Sequence, residues 1–336
     1  MGGLQPGRRA RPGPGRRCLL QARQHRVQAE RPRARGPAVA AGARAQPRPR
    51  ARQVQSGNPE CLVVTAQQDD PSFKALTQKI SRTRGIGCES YKEKCLKRRI
   101  AVRMRARGVH SYDDYSKLLD EDAHEYDQLL DALTINVTKF YRNAETWAAL
   151  LRPYLVDLWR ARRGRVRAWS AGCASGEEPY SIAVAIAEAA RACGETPPWS
   201  HARVDASDID RESLERTAAA EYPEVTFSEM PKDLLRRYFT ADAPRRPVPE
   251  IRRLVRVLRH DLTRERPPDP PYDLIVCRNV VIYFDRPMQE RLFLTFAEAL
   301  TPGGLLLLGK VETLFGTARE RLALEDPRER IYRRPA

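Results

Sequence analysis

Residues 166–180 read VRAWSAGCASGEEPY, and the fold is decided there. A short apolar run stops at Ser170, a turn carries Gly172 and Gly176, and Glu177 and Glu178 open an Ala- and Ile-rich run. Strand, glycine turn and helix in that order let backbone approach a ligand closely and aim a helix N-terminus at it. A dinucleotide site would use G-x-G-x-x-G and leave the helix start bare for pyrophosphate. Here Ala174 takes the place of the second glycine, and two carboxylates stand where phosphate would lie. Carboxylates repel phosphate and attract a cation. The expected ligand is therefore small, cationic and free of phosphate, and S-adenosylmethionine, with a sulfonium and an ammonium, satisfies this. The plainer alternative is that both acids only favour the helix start through its dipole.

Outward from this turn, short apolar strands are expected at 166–170, 202–207, 254–259, 273–277 and 304–309, and helices at 177–193, 211–220 and 287–300. Strands alternating with helices imply an α/β domain with a mostly parallel sheet, whose ligand lies beyond the carboxyl ends of the strands. The second strand ends in VDASDID, which puts Asp208 where a ribose diol is gripped, while Asp210 reads as the N-cap of the next helix. Arg278 and Asn279 of CRNVVIYFD fall at the same edge. Residues 221–253 break the rhythm and read as an inserted subdomain or a long crossing.

Upstream the pattern is helical. Phe73, Leu76 and Ile80 keep helical spacing, 89–107 forms a base-rich helix stopped by Gly108, and two more helices follow before 135. Residues 143–160 form an amphipathic helix through Trp147, Leu150, Leu151, Tyr154, Leu155 and Leu158. The chain of 336 residues carries a net charge of +17, which points toward nucleic acid until its position is considered. Residues 1–60 hold fourteen arginines and no lysine against Glu30 and Glu60, so most of the excess sits in a tail of Arg, Pro, Gly, Ala and Gln. Residues 1–66 are expected to be disordered, since such a composition buries too little apolar surface to offset ordering. The seven cysteines are scattered without a C-x-x-C pair, which gives neither a disulfide framework nor a metal site and fits a reducing cytoplasm. No apolar run reaches the ~18 residues of a membrane span.

NVTKFYRN, WSAGCASGEEPYSIA, ASDID, CRNVVIYFD and PGGLLLLGKVETL occur in this order between about 70 and 334. Together they resemble the CheR-type chemotaxis receptor glutamate O-methyltransferases. The resemblance implies a Rossmann-like class I methyltransferase domain (165–336) with a small β-subdomain inserted at 221–262. A helical domain (67–135) precedes it, joined by 136–164. It implies that Asn136, Thr138 and Arg142 reach the cofactor from the linker. Glu178 would hold the methionine ammonium, Asp208 the ribose, and Asp261 and Leu262 would lie by the adenine. Arg278 and Asn279 would close the site. Arg142 and Tyr283 would flank the transferred methyl as the catalytic pair. Arg99, Arg103 and Arg105 would dock on the acidic methylation helices of a chemoreceptor. Departures are Phe140-Tyr141 where Phe-Phe is common, Lys310 and Val311 where His and Ser are frequent, and Asp261 where Asn is frequent. The 221–253 stretch lacks a glycine-bearing hairpin loop, which argues against tethering to a receptor pentapeptide.

A glutamate nucleophile has a reference pKa of about 4.3 and is ionised at neutral pH, so no general base is required. That agrees with five histidines that form no evident dyad. The strongest rival is an adenine N6 methyltransferase, because DPPY occurs at 269–272. It precedes its strand, however, and so falls at the opposite edge from the glycine turn. A non-catalytic S-adenosylmethionine-binding signalling module is the second rival, and an NAD-linked oxidoreductase the weakest. The expected protein is a cytoplasmic monomer that binds no nucleic acid and does not insert into membrane.

Overall fold

The computed structural model describes residues 70–133 and 138–336. The expectations for the 1–66 tail and for Asn136 lie outside these residues.

Five strands run parallel: β1 (Arg167–Ala171), β2 (Arg203–Asp208), β3 (Val255–Arg259), β4 (Tyr272–Cys277) and β5 (Leu300–Leu308). With β6 (Ala323–Asp326) and β7 (Ile331–Arg333) the sheet order is β3-β2-β1-β4-β5-β7-β6, β7 being antiparallel to β5. Every residue of β4 is buried, as a strand covered on both faces requires. The order reverses between β1 and β4, so the loops after them splay apart and leave a crevice above their carboxyl ends.

One face of the sheet carries α7 (Glu177–Ala192), whose alanines are buried almost all round. Small side chains let it lie close to the strands on one side. On the other lies the kinked run α5 (Ala144–Ala149), Leu150–Leu155 and α6 (Val156–Ala161). The opposite face carries α11 (Arg286–Ala299), with Phe296 set edge-on to Trp169 of β1 at 5.5 Å. β5 begins at Leu300, ahead of the expected 304, because the backbone through Gly303 and Gly304 continues the strand. A short α12 (Ala318–Arg321) leads into the final hairpin.

The N-terminal unit is α1 (Pro71–Arg84), α2 (Glu93–Ala106), α3 (Tyr112–Glu121) and α4 (Ala123–Leu133) around Phe73, Leu76, Ile80, Ile100, Tyr115 and Leu129. Asp70 caps α1 by accepting from Ser72 and Phe73 N–H. Gly85 ends it at φ 76°.

After α8 (Arg211–Ala219) the inserted segment is less β-like than expected. It holds a single turn of 3₁₀ helix (Glu224–Phe227), α9 (Lys232–Tyr238) and α10 (Pro249–Arg252). Its described β structure is two isolated antiparallel bridges, Tyr222 with Arg245 and Phe239 with Pro247. Pro244, Pro247 and Pro249 each lack an N–H for a ladder, which limits pairing to single bridges. Residues 255–259, included in the expected insertion, belong to the main sheet as β3.

Candidate active site

The crevice has two halves that meet at Gly172, Ala174, Asn279, Val280 and Tyr283. The first is also lined by Tyr91, Asp208, Ile209, Asp261, Leu262 and Phe284. The second is also lined by Thr138, Lys139, Arg142, Trp147, Glu178 and Arg278. The described residues assigned to cofactor or catalysis therefore converge on one crevice.

Its floor is the turn after β1. Gly172 adopts φ 82°, and a Cβ there would come within 2.7 Å of a Val280 methyl, so only glycine lets this turn pass under the loop after β4. Gly172 and Cys173 N–H both donate to Ser207 O at 2.9 Å, which ties the ends of β1 and β2. Asp208 accepts from Ala174 N–H (2.9 Å) and from Asp210 N–H (3.1 Å). Asp210 itself caps α8, as expected from sequence. Burial holds the Asp208 carboxyl above its ordinary value, against those two backbone bonds.

The two acids of the turn separate in role. Glu177 is buried, accepts from Ser175 Oγ (2.8 Å) and does not line the crevice. Glu178 does line it and accepts from Ser170 Oγ (2.8 Å). Burial pushes its carboxyl up to about 7, reinforced by Glu312 and opposed by Arg278 and Arg142. A carboxylate so held gains most from a cation placed beside it.

Arg278 is buried and lies with its guanidinium 5.7 Å from the centre of the Trp147 ring. Its Nη2 donates to Asn143 Oδ1 (2.9 Å), while its Nε has no hydrogen-bond partner among the described residues. Asn279 takes a left-handed backbone, φ 60°. Glu312, which sequence reasoning did not assign, holds this loop: its carboxylate accepts from Asn279 N–H (3.0 Å), Gly309 N–H (2.7 Å) and Ile282 N–H (3.2 Å). The signal available was an acid just past the end of β5, at the ligand edge of the sheet.

Asp261 Oδ1 accepts from Thr263 N–H (2.8 Å) and Thr263 Oγ1 (2.6 Å), so it shapes the wall beside Leu262 as much as it offers a ligand contact. Tyr283 stands at the junction of both halves. Its backbone carbonyl accepts from Lys92 N–H (2.9 Å), and Arg99 lies over its ring at 4.5 Å.

The expected receptor-docking arginines divide. Arg99 is buried, turned toward Tyr283, and donates from Nη1 to Leu133 O, so it does not lie on an outer docking face. Arg103 is half-buried and its Nε donates to the buried Glu125 (3.1 Å). Arg105 is exposed, with Arg98 and Val102 also exposed on α2. DPPY lies at the amino end of β4, where Asp269 pairs with Arg167 (2.9 Å) and Tyr272 Oη donates to Asp205 (3.0 Å), away from the crevice.

The residues present fit S-adenosylmethionine. Glu178 and Asp208 offer carboxylates to its ammonium and ribose diol, the Gly172 cradle admits it, and the apolar wall of Tyr91, Ile209, Leu262 and Phe284 suits a purine. Among the described residues no helix is long and apolar enough to cross a membrane.

Comparison with known proteins gives two adjoining matches. Residues 71–134 match the all-alpha domain of CheR methyltransferases, and residues 136–329 match their SAM binding domain. The chain is similar to the chemotaxis protein methyltransferase of Klebsiella aerogenes, 34% identical over 260 residues, covering 75% of this chain and 86% of that protein. It is also similar to those of Listeria innocua (33% over 255 residues; 76% and 94%) and Escherichia coli (32% over 252 residues; 72% and 84%).

Proposed function

From the premise that the chain belongs to the CheR methyltransferase family, we propose that it methylates the side-chain carboxylate of glutamates in the cytoplasmic helices of a chemoreceptor. The products are a glutamyl methyl ester and S-adenosylhomocysteine. The protein is an S-adenosylmethionine-dependent methyltransferase. Its target is a protein in the cytoplasm, on which it acts as a monomer. The observation that carries the reading is the convergence of Arg142, Tyr283 and Glu178 on one half of the crevice.

S-adenosylmethionine supplies an electrophilic methyl group on a sulfonium. Glu178 accepts from the ammonium at its methionine end, and Asp208 from its ribose hydroxyls. Asp261 and Leu262 form the wall beside the purine. Thr138 reaches the cofactor from the linker, and Arg278 and Asn279 close the site. The substrate carboxylate would arrive ionised; with the cofactor bound, one of its oxygens would form the new O–C bond as the C–S bond breaks, the electron pair staying on sulfur and no proton moving. Arg142 orients the carboxylate along that line, and Tyr283 fixes it by its hydroxyl. Alignment of this kind can supply ~7–11 kcal/mol of a barrier. Arg105 remains available for the acidic receptor helices; Arg99 and Arg103 support the site and the α2–α4 contact instead.

The test is to incubate the protein with methyl-labelled S-adenosylmethionine and a chemoreceptor cytoplasmic fragment, then treat the product with mild base. Release of labelled methanol is expected. Base-stable label, or label transferred to adenine in DNA instead, overturns the reading.

A further inference from the structure

Arg142 sits in a turn held from two sides. The residues flanking it, Tyr141 and Asn143, both adopt left-handed backbone, φ 54° and 60°. Residues other than glycine rarely do so, and such a turn persists only where its surroundings over-determine it. On one side Tyr141 N–H donates to Ser181 Oγ of α7 (3.0 Å). On the other, Asn143 N–H donates to Glu229 Oε2 (2.7 Å), and Lys139 Nζ lies 3.8 Å from Glu229 Oε1. One carboxylate thus brackets the turn at both ends. Phe140 N–H donates to Thr226 O (3.0 Å), and the Phe140 ring stacks on Phe227 at 4.5 Å. Glu229, Thr226 and Phe227 all come from the inserted segment rather than the sheet. The Asn143 side chain continues the chain of contacts, since its Oδ1 accepts from Arg278.

We propose that Glu229 is a positioning residue for methyl transfer. By holding Asn143 N–H it keeps Arg142 in the methionine half of the crevice and keeps Asn143 Oδ1 in place for Arg278. Glu229 does not line the crevice and acts only through these neighbours. The inference rests on the role given to Arg142 above.

The full chain carrying Glu229→Ala or Glu229→Gln is assayed with a chemoreceptor cytoplasmic fragment, and its affinity for S-adenosylhomocysteine and its melting temperature are measured. Glu229→Ala is expected to lower kcat about tenfold, as a small misplacement of an aligning group does, with affinity changed less than about twofold. Glu229→Gln keeps a carbonyl acceptor for Asn143 N–H and is expected to recover most of the loss. In an Arg142→Ala background, Glu229→Ala is expected to add much less than its own tenfold, only what reaches the site through Arg278. A wild-type kcat for Glu229→Ala, or a full additional loss in the Arg142→Ala background, overturns the inference alone. Should Arg142→Ala by itself leave turnover intact, the reading of Arg142 falls and this inference falls with it.

Discussion

The two halves of the crevice share a floor and differ in what they are made of. The half proposed to take the nucleoside is walled by apolar side chains, with Asp208 and Asp261 already engaged by backbone donors. The half proposed to take the methionine end is charged: Glu178 against Arg142 and Arg278, with Glu312 behind them. Apolar walls and pre-satisfied acids give uniform binding, which sets affinity. Groups that align the carboxylate with the methyl act on turnover through positioning, because the opposite charges of carboxylate and sulfonium cancel as the bond forms. Substitutions in the first half should therefore move binding, and those in the second should move turnover.

The sharpest attempt to break this division is Arg142→Ala. Turnover is expected to fall on the order of 10²-fold, the cost of misplacing a reacting group by about 1 Å, while affinity for S-adenosylhomocysteine changes by less than about threefold. Equal losses in kcat and in calorimetric affinity would reduce Arg142 to a cofactor contact. Next in size is Asp208→Asn, where losing a charged hydrogen-bond partner is expected to weaken S-adenosylhomocysteine binding by ~10–100-fold. Here kcat at saturating cofactor should stay within a few-fold; a collapse of kcat would merge the two halves.

Glu178 tests the boundary through pH. Its carboxyl is raised to about 7, and an ammonium placed beside it pulls that value down. Binding then releases a proton below pH 7, so affinity should be nearly flat above 7 and weaken toward a tenfold loss per pH unit below it. Titration calorimetry between pH 6 and 7.5 in two buffers of different ionisation enthalpy reads this directly. Glu178→Gln should flatten the curve, and an unchanged slope would place the titration elsewhere. The smallest effect is expected for Leu262→Ala, where losing about three buried carbons against the purine at ~0.8 kcal/mol each, partly offset by solvent filling, weakens affinity ~5-fold. Its kcat should not change.

Residues of both halves were legible where they sit at the ends of strands. The glycine turn, Asp208 and the Asp210 cap are local, since each depends on what a few consecutive residues do at the end of one strand. Asp261 and Leu262 came from the family likeness instead. Glu312 and Glu229 were not legible because each satisfies backbone N–H groups 30 to 86 residues away, and sequence spacing carries no trace of such pairings. Arg99 was misplaced for another reason. The α2 run EKCLKRRIAVRMRA has bases on several sides, so helical periodicity does not tell which arginine turns inward. The closing hairpin escaped because β6 is exposed along most of its length and shows no alternation. The insertion was expected to be β from the family likeness, whereas its prolines permit only single bridges.

Ser90 O accepts from Asp285 N–H, Lys92 N–H donates to Tyr283 O, and Tyr91 meets Phe284 ring to ring between them. A boundary that looks clean in the gene is thus a seam in the molecule, stitched across the segment that carries Tyr283. Modular exchange should fail unless both lips of that seam travel together. A helical unit borrowed from a relative would need its own counterpart to 280–285, and residues 138–336 cut free would present an open-sided trough in place of a closed nucleoside berth.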